Sequence, residues 1–559
     1  MKYESYVFSA ILALSVTACG NDGNPDDQPQ QTGGFGVDGA GLGGAVGLAG
    51  QSSSVESGTG GSSQQTATSG VSGGGAEVAG TGTGEAGDVI NGGAGGSAGA
   101  GAGGSAGAGA GGSAGAGAQG SSTLEREFDP VVLGGESLTL LVGREPSNVV
   151  AFRYDDDWAQ IPVQVDERDM VDYYKIYNNT SVAPGAFVNL VYVDPGTLTG
   201  PDSDPKIDED DEIVFMAHDA GLRPGTFSNP SGVVADSAVQ VRISEPEDDT
   251  KEGYVYLFES DGSLKADAGR PYGTYTFKLQ AGTYPANYSF IMGPNPEDTT
   301  FKSAIYERHY SDRFLTDVIK IFTDGATGVD ILDVLDSALP DGCMRHVGSY
   351  NAGEGAIITN KGGAVRTIRG FMGANSGPLT EKTNIFYEAR EDQIITLRVH
   401  MLPWAPVETL DYSPEAIGMK YYNVNNTTGV VIDGQPDNVE PATGENPLRW
   451  EMVSGPQGSL VSVHEVDTDI TGLTFTSFYQ DSTSSPTQQC VGDTTTAYGQ
   501  SGPQITGALP STDPAGGGTN HMIGTHHLYY LSPSAQIADA EKLDYQARNP
   551  LKTEISDVD

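Results

Sequence analysis

Basic residues are scarce in this 559-residue chain: 29 Lys and Arg stand against 74 Asp and Glu, a formal net charge of −45. Past residue 122 the chain carries 65 acidic and 28 basic residues, a balance of −37. A field of that sign repels phosphate backbones and anionic headgroups, which argues against nucleic acid as a partner and against direct docking of the body on a membrane. Cysteine and tryptophan are equally sparse, three of each. After one apolar run near the N-terminus, no second stretch approaches the roughly 20 residues needed to cross a bilayer. There is no Gly-x-Ser-x-Gly elbow, no His-Glu-x-x-His helix, no phosphate loop and no dinucleotide fingerprint. Those absences remove the best-marked hydrolase, metalloprotease and nucleotide-binding classes, and with them any expectation of an organic cofactor.

What the chain does have begins at its N-terminus. An apolar stretch from Val7 leads into Leu12-Ala13-Leu14-Ser15-Val16-Thr17-Ala18-Cys19. An aliphatic residue, two small residues and then cysteine resemble a bacterial lipoprotein signal peptide. The resemblance implies that residues 1–18 are removed, that Cys19 is lipidated, and that the protein is held to the lipid bilayer without spanning it. Gly20 in place of Asp after the cysteine implies onward sorting to the outer membrane of a Gram-negative envelope. Export exposes the two remaining cysteines, Cys343 and Cys490, to an oxidising environment, where an isolated pair is expected as a disulfide.

Residues 19–122 are Gly, Ala, Ser, Thr and Gln, with hardly a large apolar side chain, and Ala-Gly-Gly-Ser-Ala-Gly-Ala-Gly recurs at 94–101, 102–109 and 110–117. A repeat this poor in bulk cannot offset the entropy of ordering, so the segment is expected as a disordered tether. As a flexible coil it spans an r.m.s. distance of ~50–60 Å.

Beyond residue 123 the pattern changes to period two. Ile161, Val163 and Val165 alternate with polar neighbours, as do Val239, Val241 and Ile243, and again Ile395, Leu397, Val399 and Met401. Strands with one wet face predict a mainly β body, an antiparallel β-sandwich. Helical spacing is sparse; the best candidate is Gly328–Leu339, where Val329, Leu332 and Leu335 fall three to four apart. A body of this size exceeds one ordinary core. The turn-rich strip from Asp261 to Gly273 suggests a β-domain over 123–260 and a larger β-sandwich over 274–559. The Ser/Thr/Gly/Pro stretch from Gln480 to Asn520 reads as an extended surface loop.

Two constellations could carry chemistry. In Asp202-Ser203-Asp204-Pro205-Lys206-Ile207-Asp208-Glu209-Asp210-Asp211-Glu212, the carboxylates of Asp202, Asp204, Asp208, Asp210, Asp211 and Glu212 could converge on one hard cation, so Ca²⁺ is the cofactor to look for. Ile at the sixth and twelfth positions rules out an EF-hand. Asp166, Glu167 and Asp169 repeat the theme nearby and could complete the site. The pairing of Ile161-Pro162-Val163-Gln164-Val165-Asp166-Glu167 with Asp211-Glu212-Ile213-Val214-Phe215-Met216-Ala217 resembles segments of uncharacterised secreted bacterial proteins, a likeness that implies no activity.

The second constellation is a local reversal of charge over 361–400. Arg366, Tyr387, Arg398 and His400 could bind an acidic or sulfated sugar, or serve a lyase in which Arg neutralises a uronate and Tyr or His is the base. The leading expectation is therefore a surface-tethered lipoprotein whose β-body binds a ligand, expected to be a glycan, with Ca²⁺ as a structural aid. A polysaccharide lyase or hydrolase, and a structural envelope protein whose partner is another surface protein, stand beside it.

Overall fold

The computed structural model describes residues 122–558 apart from 177–186, 281–290, 293–296, 313–314, 339–353, 374–379, 398–406, 444–446, 483–496 and 508–520. Cys19, Cys343, Cys490, Arg398 and His400 lie outside the described residues. The strands of the described body pair antiparallel throughout.

The expected alternation of Val239, Val241 and Ile243 is realised in the strand Val239–Ser244, whose apolar residues are buried while Gln240 and Arg242 remain half-exposed. It lies in a five-stranded sheet with the order Lys552–Asp557, Val239–Ser244, Glu252–Glu259, Val149–Tyr154 and Trp158–Ile161. A three-stranded sheet, Pro130–Gly134, Glu212–Met216 and Gln164–Asp166, faces it. Val131, Leu133, Ile213 and Phe215 from one sheet meet Val149, Val241, Val255 and Leu257 from the other in one aliphatic core. Each such side chain contributes about 1.5–3 kcal/mol by leaving water.

The run Ile161–Val165 is broken at Pro162: Ile161 ends a strand of the five-stranded sheet and Gln164 begins one in the facing sheet. Proline has no N–H to give a ladder, so it suits the point where the chain changes layers. The last strand, Lys552–Asp557, pairs with Val239–Ser244, so the 274–559 segment lends its end to the sheet of the 123–260 segment.

The other face of the three-stranded sheet packs Val214 and Met216 on Val365, Ile368, Ile385 and Tyr387 of the next layer. That layer is a ten-stranded sheet in the order Ile291–Met292, Glu354–Lys361, Thr367–Gly373, Thr380–Phe386, Arg390–Leu397, Met522–Leu531, Gly458–Thr468, Trp450–Gly455, Lys420–Asn423 and Asn426–Val431. On the same outer side the helix Ile537–Arg548 buries Ala540 and Leu543 against Trp450, Met452, Val461 and Tyr529. A reciprocal capping box between Gln536 and Asp539 starts this helix.

Two four-stranded sheets cover the inner side. One runs Gly273–Thr276, Thr299–Ser303, Tyr306–Tyr310 and Thr316–Ile321; the other runs Leu332–Ala338, Val407–Tyr412, Ala497–Thr506 and Thr474–Ser482. Phe301, Tyr306, Ile319, Leu410 and Tyr412 from these covers pack with Phe386, Tyr421, Leu460 and Tyr530 of the long sheet. Tyr306 and Tyr530 stack at 3.8 Å between ring centroids.

Two local expectations are corrected. Gly328–Leu339 holds no helix; Leu332–Ala338 is a strand paired to Val407–Tyr412. An apolar run this short fits either period, and the available partner strand decides it. Within the stretch expected as a loop from Gln480 to Asn520, Ala497–Thr506 is a strand between two others. Its Gly, Ser and Pro residues have weak strand preference, which sheet context overrides. The register toward Val407–Tyr412 pairs Gln500, Ser501 and Gln504 and passes over Pro503.

Candidate functional site

The acidic segment forms a real convergence. Carboxylate oxygens of Glu167, Asp202 and Asp211 lie within 4.8 Å of one another, as do those of Asp208, Asp210 and Asp211. Glu167 joins from the end of the strand Gln164–Asp166. Asp211 is the buried hub: Oδ1 accepts from the backbone N–H of Arg168 at 3.0 Å and Oδ2 from that of Asp208 at 2.9 Å. Asp204 stays outside the cluster and accepts from the N–H of Lys206. Glu212 opens a strand and faces away, toward Arg168 and Arg366. Burial first, then the neighbouring carboxylates, push Glu167 up to about 7 and Asp211 up to about 6. Burial and the hydrogen bond to Asp208 push Asp210 up to about 7. Burial together with crowded like charges gives this pattern, against which Lys361 acts only in part on Glu167, and a divalent cation would reverse it.

Arg366 and Tyr387 are neighbours, with the guanidinium 3.5 Å from the phenol oxygen. Arg366 is buried, and its donors go to protein carboxylates: Nε meets Asp166 at 2.8 Å and Nη2 meets Glu212 at 2.6 Å. Lys361 completes the pair on Asp166 at 3.2 Å. Gln164 Oε1 accepts from the backbone N–H groups of Val365 and Arg366. The cluster ties the three-stranded sheet to the long sheet and presents no free guanidinium to an acidic sugar. Burial pushes the Tyr387 phenol up to about 12, which does not suit a base near neutral pH.

A third feature was not legible residue by residue. Register places Asn360, Arg369, Asn384, Gln393, His526 and His464 side by side on six adjacent strands. All lie on the inner, covered side of the long sheet, and all but Asn360 are buried. Beside this row Glu391 accepts from Asn384 at 2.9 Å, Gln393 at 3.0 Å and Tyr530 at 2.9 Å, and pairs with Arg308 at 2.9 Å. Arg369 pairs with Glu297 at 2.6 Å, both fully buried. At the far end Glu451 Oε1 lies 3.2 Å from His464 Nε2, and its Oε2 accepts from Tyr421 at 3.0 Å. The usable signal was parity: Glu391 and Gln393 share the face of Ile395 and Leu397, so charge sits where core is expected. His527, of opposite parity to His526, sits on the outer face with Asp392 at 2.6 Å.

A cavity of about 420 Å³ is present among the described residues. It lies between the segment Glu125–Phe128, the turn at Thr323–Asp324 and the start of the C-terminal helix. Glu127, Asp324, Ser532 and Lys542 supply polar groups, and Phe128 supplies an aromatic ring.

No protein-family model and no curated protein matches the sequence. Among solved structures the fold is similar, at a TM-score of 0.31 and 10% identity, to a glycosyl hydrolase family 38 protein from Enterococcus faecalis, over 77% of this chain and 46% of that one. An alpha-mannosidase from Enterococcus faecalis V583 is similar at the same TM-score and identity, over 78% of this chain and 45% of its own. The chain thus spans less than half the length of either structure.

Proposed function

We propose that this chain is a lipid-anchored surface protein of the outer membrane whose β-body binds a glycan, with Ca²⁺ as a structural aid. The observation that carries the binding role is the 420 Å³ cavity, of a size that suits a small ligand. Its carboxylates and serine hydroxyls can exchange hydrogen bonds with sugar hydroxyls, and Phe128 offers apolar surface for ring C–H groups. The anchor rests on the Val16-Thr17-Ala18-Cys19 motif. The calcium role rests on the crowding of Glu167, Asp202, Asp208, Asp210 and Asp211.

Calorimetric titration of the protein with a panel of neutral, amino and acidic oligosaccharides tests the binding role. At least one class is expected to bind, and Ala535→Trp, which places a bulky ring in the cavity, is expected to abolish that binding without lowering the unfolding midpoint. Binding that survives Ala535→Trp would move the ligand seat elsewhere, and a panel with no binder would overturn the glycan reading.

A further inference from the structure

His464 and His526 are register partners on the strands Gly458–Thr468 and Met522–Leu531, and their rings meet edge to face with centroids 4.8 Å apart. Both are buried. Thr409, Leu410, Ser501, Gly502 and Pro503 of the second covering sheet close over them, leaving a cavity of about 20 Å³, room for about one water. Two imidazoles therefore lie at the seam between two sheets.

Among the described residues, one carboxylate meets the pair directly. Glu451 takes His464 Nε2 on one oxygen and the Tyr421 hydroxyl on the other. The other charged groups around the pair are already engaged or oppose a proton on His526. Glu391, beyond Gln393, is held by Arg308, Asn384, Gln393 and Tyr530. Asp411 on the covering sheet has partners of its own. Lys382, two strands away, and His527, behind the sheet, both oppose a proton on His526. Were both imidazoles to carry a proton, two cations this close in a dry seam would repel strongly.

We infer that the His464–His526 pair makes the seating of this covering sheet on the long sheet depend on pH, closed while His526 is neutral and loosened when it takes a proton. The inference is independent of the ligand and of calcium. Burial, followed by His464 and Lys382, holds the His526 imidazole well below the ordinary value. A His526 released to water returns toward about 6.5. The loosened state therefore binds more protons than the seated one, so seating is insensitive to pH above about 6.5 and weakens progressively below it.

Amide hydrogen exchange on the full-length protein, expressed as protection relative to intrinsic rates, reads this directly. Between pH 7.5 and pH 5.0, protection of Val407–Tyr412 and Ala497–Thr506 should fall by about tenfold or more, the factor equivalent to one pKa unit. The distant strand Val239–Ser244 should keep its protection. His526→Gln should remove the pH difference. A uniform fall across all strands, or a difference that persists in His526→Gln, would overturn the inference. Should that variant not fold, NMR titration of the unmodified protein decides: a buried His526 that takes up its proton near pH 6.5 with no loss of protection at the seam refutes it.

Discussion

The aliphatic sandwich near the N-terminus and the inner side of the ten-stranded sheet use the same antiparallel construction with opposite interiors. In the first, Val, Ile and Leu from two sheets pack against one another. In the second, Arg308, Glu391, Arg369, Glu297, His464, His526 and Glu451 are buried among tyrosines. Apolar packing tolerates exchange of one hydrophobic residue for another, because it is non-directional. A buried ionic belt works only when each member keeps its partner, so it defines one register at a higher penalty for any single loss.

The largest effect is expected where that dependence is strongest. Arg308 and Glu391 are both fully buried and 2.9 Å apart. Arg308→Met leaves the Glu391 charge without its cation and should cost about 3–5 kcal/mol in denaturant unfolding. Converting both partners, Arg308→Met with Glu391→Leu, should recover much of that loss, because no orphaned charge remains. A single variant that costs less than about 1 kcal/mol would break the contrast between the two interiors, since it would mean that the belt tolerates exchange as the aliphatic core does.

Leu257→Ala is the matching perturbation in the aliphatic core. Leu257 is fully buried between Val149–Tyr154 and Val239–Ser244. The truncation should cost about 3 kcal/mol through lost transfer energy and an unfilled cavity. No titratable group belongs to that cluster, so the cost should be the same at pH 5 and pH 8. A cost that changed with pH would show that the two interiors are coupled.

This contrast also explains which parts of the fold could be read from the chain. The period-two run Val239, Val241, Ile243 is a local signal, and the structure repeats it faithfully. The row from Asn360 to His464 is assembled by register among strands far apart in sequence, with His464 and His526 joined only by pairing. Parity within Glu391, Gln393, Ile395 and Leu397 was the one local trace of it. Gly328–Leu339 was misread because a handful of apolar residues fits a helix or a strand until its partner is known. In the acidic segment, Asp202, Asp208, Asp210 and Asp211 converge as their spacing suggests, and Glu167 completes them from a neighbouring strand end. Asp204 and Glu212 do not, since Glu212 begins a strand and is claimed by Arg168 and Arg366. Arg366 was legible as a cation beside Tyr387, but its carboxylate partners come from strands some 150 to 200 residues earlier in the chain.

The smallest expected effect concerns a place where carboxylates crowd one another. In the belt, Glu391 has Arg308 and Glu297 has Arg369; around Asp211 the neighbours are Glu167, Asp202, Asp208 and Asp210. Glu167 and Asp210 are pushed up to about 7 and Asp211 to about 6, whereas unfolded carboxylates titrate near 4. The folded state thus holds more protons than the unfolded chain between about pH 4 and pH 7, so these groups lower stability as pH rises through that window. Solvent screens this half-exposed loop, which keeps the effect modest. In calcium-free buffer, the unfolding midpoint of Glu167→Gln should therefore gain on that of the unmodified protein as pH goes from 5 to 8. If the cluster holds Ca²⁺, the ion should raise the midpoint more at pH 8 than at pH 5, by the equivalent of about 2.7 kcal/mol at a hundred times its Kd. Glu167→Gln should then blunt that response. A Glu167→Gln difference that ignored pH would show that the loop carboxylates are ordinary solvated surface, and would set them apart from the paired belt, where buried charge governs stability.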